Sequence, residues 1–295
     1  MNTGRFLTTI GLVAAAMAAA KLPVVASIPD LGSIASAIGG DRVEVFSIAK
    51  AESNPHTVEV LPSYMVRVSR AKVYLKSGLA LDGWADAIIA GSRNRDLRVV
   101  DCSRGIEVLE KPQGKVDASM GDVHPEGNPH WWLDPRNGVE AAGTIEAALE
   151  AADPAGASAY QSNLALFRKT EAEKFTVWKE RMKPLSGASV FTYHSSWPYF
   201  TRTFGMEIVG KVEPVPGIPP NARHLQELVS LAKSRGVEIL LQEPYFQRDG
   251  GEFLSREAGV RVVVAAPSSK GVGAGDYFSH FDDLVTQILA AKARP

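Results

Sequence analysis

Six histidines occur in the chain, and three of them stand where an imidazole could bind a metal ion. His56 closes the tripeptide Asn54-Pro55-His56, and His130 closes a second copy, Asn128-Pro129-His130, 74 residues further on. Proline fixes its own φ and drives the residue before it into an extended conformation, so each histidine leaves a stiff loop in a set direction. His194 follows Phe191-Thr192-Tyr193, where a strand is expected to run out. Ligands of open α/β sheets gather beyond the carboxyl ends of strands, which makes this a site-like address. Neutral imidazoles suit Zn2+ and related transition ions, whereas Mn2+ sites take more oxygen. His124 lies six residues before His130 in the polar loop Gly121-Asp122-Val123-His124-Pro125-Glu126-Gly127 and is a candidate accessory ligand. His224 and His280 fall within predicted helices and are expected on the surface.

These side chains need a frame. At 295 residues, with 45% hydrophobic and 22% charged residues, the chain has the length for about two lobes and the composition of a folded core. Lys and Arg total 32 against 33 Asp and Glu, so no basic surplus points to nucleic acid or anionic lipid. The single cysteine, Cys102, cannot pair within the chain and is expected as a small core residue. Residues 1–20 read as a secretory signal peptide. Arg5 supplies the positive start, Phe6 to Ala20 carry no charge, and Ala18 to Ala20 give the small residues of a cleavage site before Lys21. That apolar run is shorter than the roughly 20 residues a bilayer span needs. The mature chain is therefore expected to be exported.

From Leu22 onward, short β-rich runs alternate with helical spacing, which predicts βαβ units and mainly parallel sheets. Strands are predicted at 23–28, 43–48, 73–75 and 97–100, and again at 189–193, 207–212, 237–241 and 260–265. Helices are predicted at 31–38, 62–70 and 81–90, then at 198–204, 222–234, 251–258 and 277–290. Asn221 is a candidate cap for the helix at 222–234, and Gly236 its terminator. Between the two series, Asp153-Pro154 signals a helix start by a capping side chain and a first-turn proline. Apolar residues Tyr160, Leu164, Phe167, Phe175, Trp178 and Met182 then recur at helical spacing until Pro184. The expected fold is α/β: two lobes, residues 21–150 and 185–295, each with a mainly parallel sheet flanked by helices, joined by one long rigid helix over 153–184. Gly271-Val272-Gly273-Ala274-Gly275 is expected as a flexible loop.

Taken in order, Asn54-Pro55-His56-Thr57, Asn128-Pro129-His130-Trp131-Trp132-Leu133-Asp134-Pro135 and Tyr193-His194-Ser195-Ser196-Trp197-Pro198-Tyr199-Phe200 resemble the zinc- and manganese-specific solute-binding proteins of ABC importers. Gly40-Asp41-Arg42-Val43-Glu44-Val45 and Gln242-Glu243-Pro244 add to the likeness, which covers about residues 22–292. The resemblance implies a metal held between the lobes by His56, His130 and His194 and delivery of the ion to a membrane permease. It also implies a periplasmic protein, expected to act as a monomer. Manganese members typically place a carboxylate at the third position, so His194 implies Zn2+ over Mn2+. The chain departs from the pattern at the fourth ligand, where Val264-Ala265-Ala266-Pro267 replaces the aspartate of many relatives. Glu243 is the first candidate for that place, Asp276 the second, Glu213 a remote third, and water an alternative. Asp134 is expected to orient His130 or cap a turn.

A second reading is a zinc hydrolase, because three histidines and an open position also describe a catalytic zinc site, with Glu243 as the base. The chain holds no H-E-x-x-H motif and no histidine pair at i, i+4 spacing.

Overall fold

Alternation of short apolar strands with helices builds two parallel sheets. In the computed structural model, which describes residues 20–114, 116 and 123–293, the first sheet holds β1 (Leu22–Ala26), β2 (Val43–Ser47), β3 (Val73–Lys76) and β4 (Arg98–Asp101) in the order β2-β1-β3-β4. The second repeats this order as β6-β5-β7-β8, from β5 (Ser189–Thr192), β6 (Glu207–Lys211), β7 (Ile239–Gln242) and β8 (Arg261–Val264). Every pairing is parallel. Val24 to Ala26, Val73 to Leu75 and Ile239 to Gln242 are buried throughout, as parallel strands covered on both faces require. The two-lobed α/β fold read from the sequence is the one observed, with strand ends displaced by a residue or two. The expected signal peptide lies outside the described residues, Ala20 excepted.

Helices α1 (Pro29–Gly39), α2 (Pro62–Arg70) and α3 (Trp84–Ser92) belong to the first series. α4 (Pro135–Ala152) and α5 (Ala157–Met182) lead to α6 (Pro198–Phe204), α7 (Ala222–Arg235), α8 (Asp249–Ala258) and α9 (Asp276–Ala293). Asn221 caps α7 by accepting the His224 amide at 2.9 Å, and Gly236 ends it with φ +64°. No element was predicted over α4, although Asp134 caps it by accepting from the Arg136 amide and Pro135 opens it.

The long helix α5 has 26 residues, about 39 Å at 1.5 Å per residue. It begins later than predicted, because Pro154–Gly156 forms a separate tight turn. Asp153 does not cap it. Its carboxylate instead receives Arg42 Nε and Nη2 at 2.8 and 2.7 Å and the Tyr160 hydroxyl at 2.6 Å. A guanidinium is the stronger partner for a carboxylate than a backbone amide. Tyr160, Leu164, Phe167, Trp178 and Met182 are the buried apolar face of α5, which packs on α4, α1 and α9. Trp178 donates its indole N–H to Asp282 at 2.8 Å, tying α5 to α9.

After the second sheet the chain crosses back over the first lobe. Trp132 donates to the Pro267 carbonyl at 2.7 Å, Ser33 to the Gly273 carbonyl at 2.6 Å, and the Ser269 amide to Asp30 at 3.1 Å. The glycine-rich stretch expected to be flexible is thus bonded to α1. At Gly32 a Cβ would come within 2.6 Å of Val272 Cγ1, so the close approach needs glycine there. His280, expected on the surface, is buried at 7% exposure in α9, where Lys270 of this returning segment pairs with Asp283. His224 is half-buried and donates Nε2–H to the Lys211 carbonyl at 2.9 Å. Cys102 is buried as expected. A single apolar cluster includes Val24 and Leu75 of the first sheet and Leu241 and Val263 of the second, so the core continues across the seam.

Candidate metal centre

The structure brings His56, His130 and His194 together. One ring nitrogen of each lies within 4.8 Å of the other two, and His56 Nε2 is 3.1 Å from His130 Nε2. A tetrahedral Zn2+ with Zn–N bonds of 2.0–2.1 Å separates its nitrogens by about 3.3 Å, so this pair already stands at ligand spacing. Among the described residues, this is the one cluster of histidine, cysteine or carboxylate groups with metal-binding geometry.

The repeated tripeptide folds the same way twice. The Asn54 side-chain Oδ1 accepts the His56 backbone amide at 3.0 Å, and the Asn128 Oδ1 accepts that of His130 at 3.0 Å. These are Asx turns, the local bond that asparagine side chains favour. The His56 loop is pinned by Trp84, whose indole donates to the Pro55 carbonyl at 2.9 Å. Next to His130, Trp131 donates to the Ser77 carbonyl in the first lobe, while Trp132 reaches Pro267 beyond the second sheet. His194 follows β5 by two residues, where the strand-end argument put it.

Hydrogen bonds set the tautomers. Asn128 Nδ2 donates to Glu110 Oε2 at 2.8 Å and to the Ser195 carbonyl at 2.7 Å, which fixes the amide orientation. Its oxygen therefore faces His130 Nδ1 at 3.0 Å, so that nitrogen carries the proton and Nε2 keeps the lone pair. His194 Nδ1 likewise donates to Glu213 Oε2 at 2.7 Å, leaving its Nε2 as donor to a metal. Both members of that pair are nearly fully buried. Burial is the main reason His56 and His130 are held well below the free-imidazole value of 6.5, with the neighbouring imidazoles adding to it. A lowered pKa favours the neutral ring, whose free lone pair is the one a metal can use.

A cavity of about 250 Å³ adjoins the rings, lined among others by His124, His130, His194, Asn128, Ser195 and Lys211. Across its mouth, Glu110 accepts from Ser195 Oγ at 3.1 Å and from Lys211 Nζ at 3.0 Å as well as from Asn128. This carboxylate joins the two lobes beside the site.

The remaining candidates fall elsewhere. Glu243, directly after β7, is fully buried but is not one of the clustered groups, and among the described residues neither carboxylate oxygen has a partner at hydrogen-bond distance. Burial pushes its carboxyl up. Asp276 accepts the Gly273 amide at 2.7 Å as a local cap of α9. Asp134 caps α4 and pairs with Arg136 at 2.6 Å; the residue that orients His130 is Asn128 instead. Glu213 serves as the acceptor for His194. His124 Nε2 stands 3.2 Å from His56 Nδ1, outside the three-histidine group. Asp122 lies outside the described residues. Asn128, Glu110 and Lys211 escaped the sequence reading; the Asn-Pro-His repeat was the available signal for the first, and no local signal marks the other two.

Two parallel α/β lobes around a long helix, with imidazoles converging at their seam, define a metal-binding solute-binding protein of an ABC import system. The chain belongs to the family described as zinc-uptake complex component A, periplasmic, whose model matches residues 24–291. It is 24% identical over 272 residues to the high-affinity zinc uptake system protein ZnuA of Brucella abortus, covering 80% of this chain and 81% of that one. It is 25% identical over 279 residues to the manganese-binding lipoprotein MntA of Halalkalibacterium halodurans, covering 92% and 89%. A crystal structure of ZnuA superimposes with a TM-score of 0.80 at 26% identity, covering 93% of this chain and all of that one. The family consists of solute-binding proteins and not enzymes, so the hydrolase reading, with Glu243 as its base, is set aside.

Proposed function

We propose that the chain captures Zn2+ outside the cytoplasm and delivers it to the membrane permease of an ABC importer. The observation that carries this reading is the donor set: His56, His130 and His194 converge, and among the described residues no carboxylate joins them. An all-imidazole set suits Zn2+, while Mn2+ favours oxygen donors. The zinc-uptake description of the family supports the choice. The manganese-binding relative fits a common frame in which the donors, rather than the fold, select the ion.

His130 and His194 present Nε2 from rings locked by Asn128 and Glu213, and His56 presents Nε2 from the opposite loop. Water from the adjoining cavity takes the fourth position, with Glu243, buried directly after β7, as the alternative. Residues 1–20 act as the export signal, placing the mature chain in the periplasm, where it works as a monomer. Loading needs only small loop adjustments, since the core is continuous across the seam.

Isothermal titration of the untagged protein tests the reading. Zn2+ is expected to bind at least about 100-fold more tightly than Mn2+, and His194→Ala to lose most of that affinity. Equal affinity for the two ions, or a His194→Ala protein that binds Zn2+ normally, overturns it.

A further inference from the structure

Metal-bound imidazoles are held in place by an acceptor on their second nitrogen. For His130 and His194 those acceptors are Asn128 and Glu213. Among the described residues His56 meets no such carbonyl or carboxylate: Asn54, its counterpart to Asn128, takes only the backbone amide. The group facing His56 Nδ1 is His124 Nε2, at 3.2 Å, with the rings 5.0 Å apart. Nδ1 and Nε2 lie on opposite sides of an imidazole, so His124 stands on the side of His56 away from His130.

We propose that His124 is a positioning residue: its Nε2 accepts the Nδ1 proton of His56 and so turns the His56 Nε2 lone pair toward the metal. The inference rests on the three-imidazole reading above. Two ring nitrogens 3.1 Å apart, as His56 Nε2 and His130 Nε2 are, repel if both bear lone pairs unless a cation lies between them. With the His130 lone pair fixed on Nε2 by Asn128, the site can receive a metal only if the His56 proton resides on Nδ1. Which nitrogen of an imidazole is protonated is set by the bond the other nitrogen makes, and His124 supplies that bond. For this it must itself be the Nδ1–H tautomer. His124 is carried by a turn closed by the Gly127 amide on its carbonyl at 3.1 Å, with Gly127 at φ +110°. A Cβ on Gly127 would come within 2.8 Å of the Leu109 carbonyl oxygen, so the turn is seated against the 108–111 segment. The residue thus leaves the first ring of donors and becomes what aligns one of them.

The experiment compares three variants by competition against a zinc chelator, with circular dichroism to confirm the fold. His124→Leu removes the acceptor and is expected to weaken Zn2+ binding about 10-fold or more; His124→Gln restores an acceptor oxygen and is expected to stay within about threefold of the parent. Nitrogen-15 spectra of the zinc-loaded protein should place the His56 proton on Nδ1 and show it hydrogen-bonded in the parent and in His124→Gln, and lose that hydrogen bond in His124→Leu. Unchanged affinity in His124→Leu overturns the proposal, and so does an equal loss in His124→Gln, which would make His124 a ligand. His56→Ala separates the two levels: normal zinc binding there brings down the three-imidazole reading itself, whatever His124 does.

Discussion

Glu213 should control how tightly the ion is held without touching it. Its Oε2 accepts from His194 Nδ1 at 2.7 Å, and both side chains are nearly fully buried, at 3% and 5% exposure. The ion would sit one imidazole ring and one Zn–N bond further on, about 6 Å from the carboxylate. At an effective dielectric of about 20, the attraction between a unit negative charge and a dication at that distance is about 5 kcal/mol. That figure is a ceiling. In Glu213→Gln the amide oxygen still accepts the Nδ1 proton, and the cost of burying the carboxylate disappears with its charge. Substitutions in such supporting positions typically cost 10–100-fold in metal affinity, or about 1.4–2.7 kcal/mol. Glu213→Gln is therefore expected to raise the zinc Kd by about 10–100-fold. The loss should be similar at low and moderate salt, because screening acts mainly on exposed charges. A competition titration against a fluorescent chelator at two ionic strengths measures both. Affinity within about twofold of the parent would refute the reasoning. A loss that vanishes as salt is raised would equally refute it, by showing the pair to be solvated.

Two buried ionisable groups away from the site make predictions about stability. His280 is buried in α9, its Nε2 without a hydrogen-bond partner among the described residues, and burial depresses its pKa to about 4. The unfolded chain, with a value near 6.5, binds a proton first, so this residue withdraws stability as pH falls from about 6.5 to 4, by roughly 3 kcal/mol in total. Urea unfolding at pH 7 and pH 4.5 should show a smaller acid loss in His280→Leu than in the parent; parallel losses would contradict this. Asp30 has the opposite sign. Burial raises its pKa to about 7, above the unfolded value of 3.8, so its contribution is complete below pH 3.8 and is lost as pH rises through 7. Asn at this position keeps an acceptor for the Ser269 amide, and Asp30→Asn should gain stability over the parent between pH 5 and 8, up to about 4 kcal/mol. A stability difference that does not change over that range would exclude an ionising Asp30.

Much of this was legible in the residues. Alternating strands and helices and the strand-end position of His194 gave the frame and one candidate ligand. Two Asn-Pro-His tripeptides gave the others, and they fold into matching Asx turns because proline and asparagine act over two or three residues. What could not be read depended on partners far along the chain. Asp153 looked like a helix cap because its competitor, Arg42, is 111 residues away. His280 looked exposed because the segment returning over α1 and α9 is recognisable only once folded. The two tripeptides also diverge at the next level: Asn128 holds the His130 ring, while the His56 ring meets His124 from another loop. Local sequence is the same in both, and only the tertiary arrangement decides which nitrogen finds which acceptor.

The most direct measurement is a crystal of the zinc-loaded protein with diffraction recorded on both sides of the zinc absorption edge. One strong zinc peak is expected, bound to Nε2 of His56, His130 and His194 at about 2.0–2.1 Å. A peak elsewhere in the molecule, or one ligated by fewer than all three of these imidazoles, would contradict it.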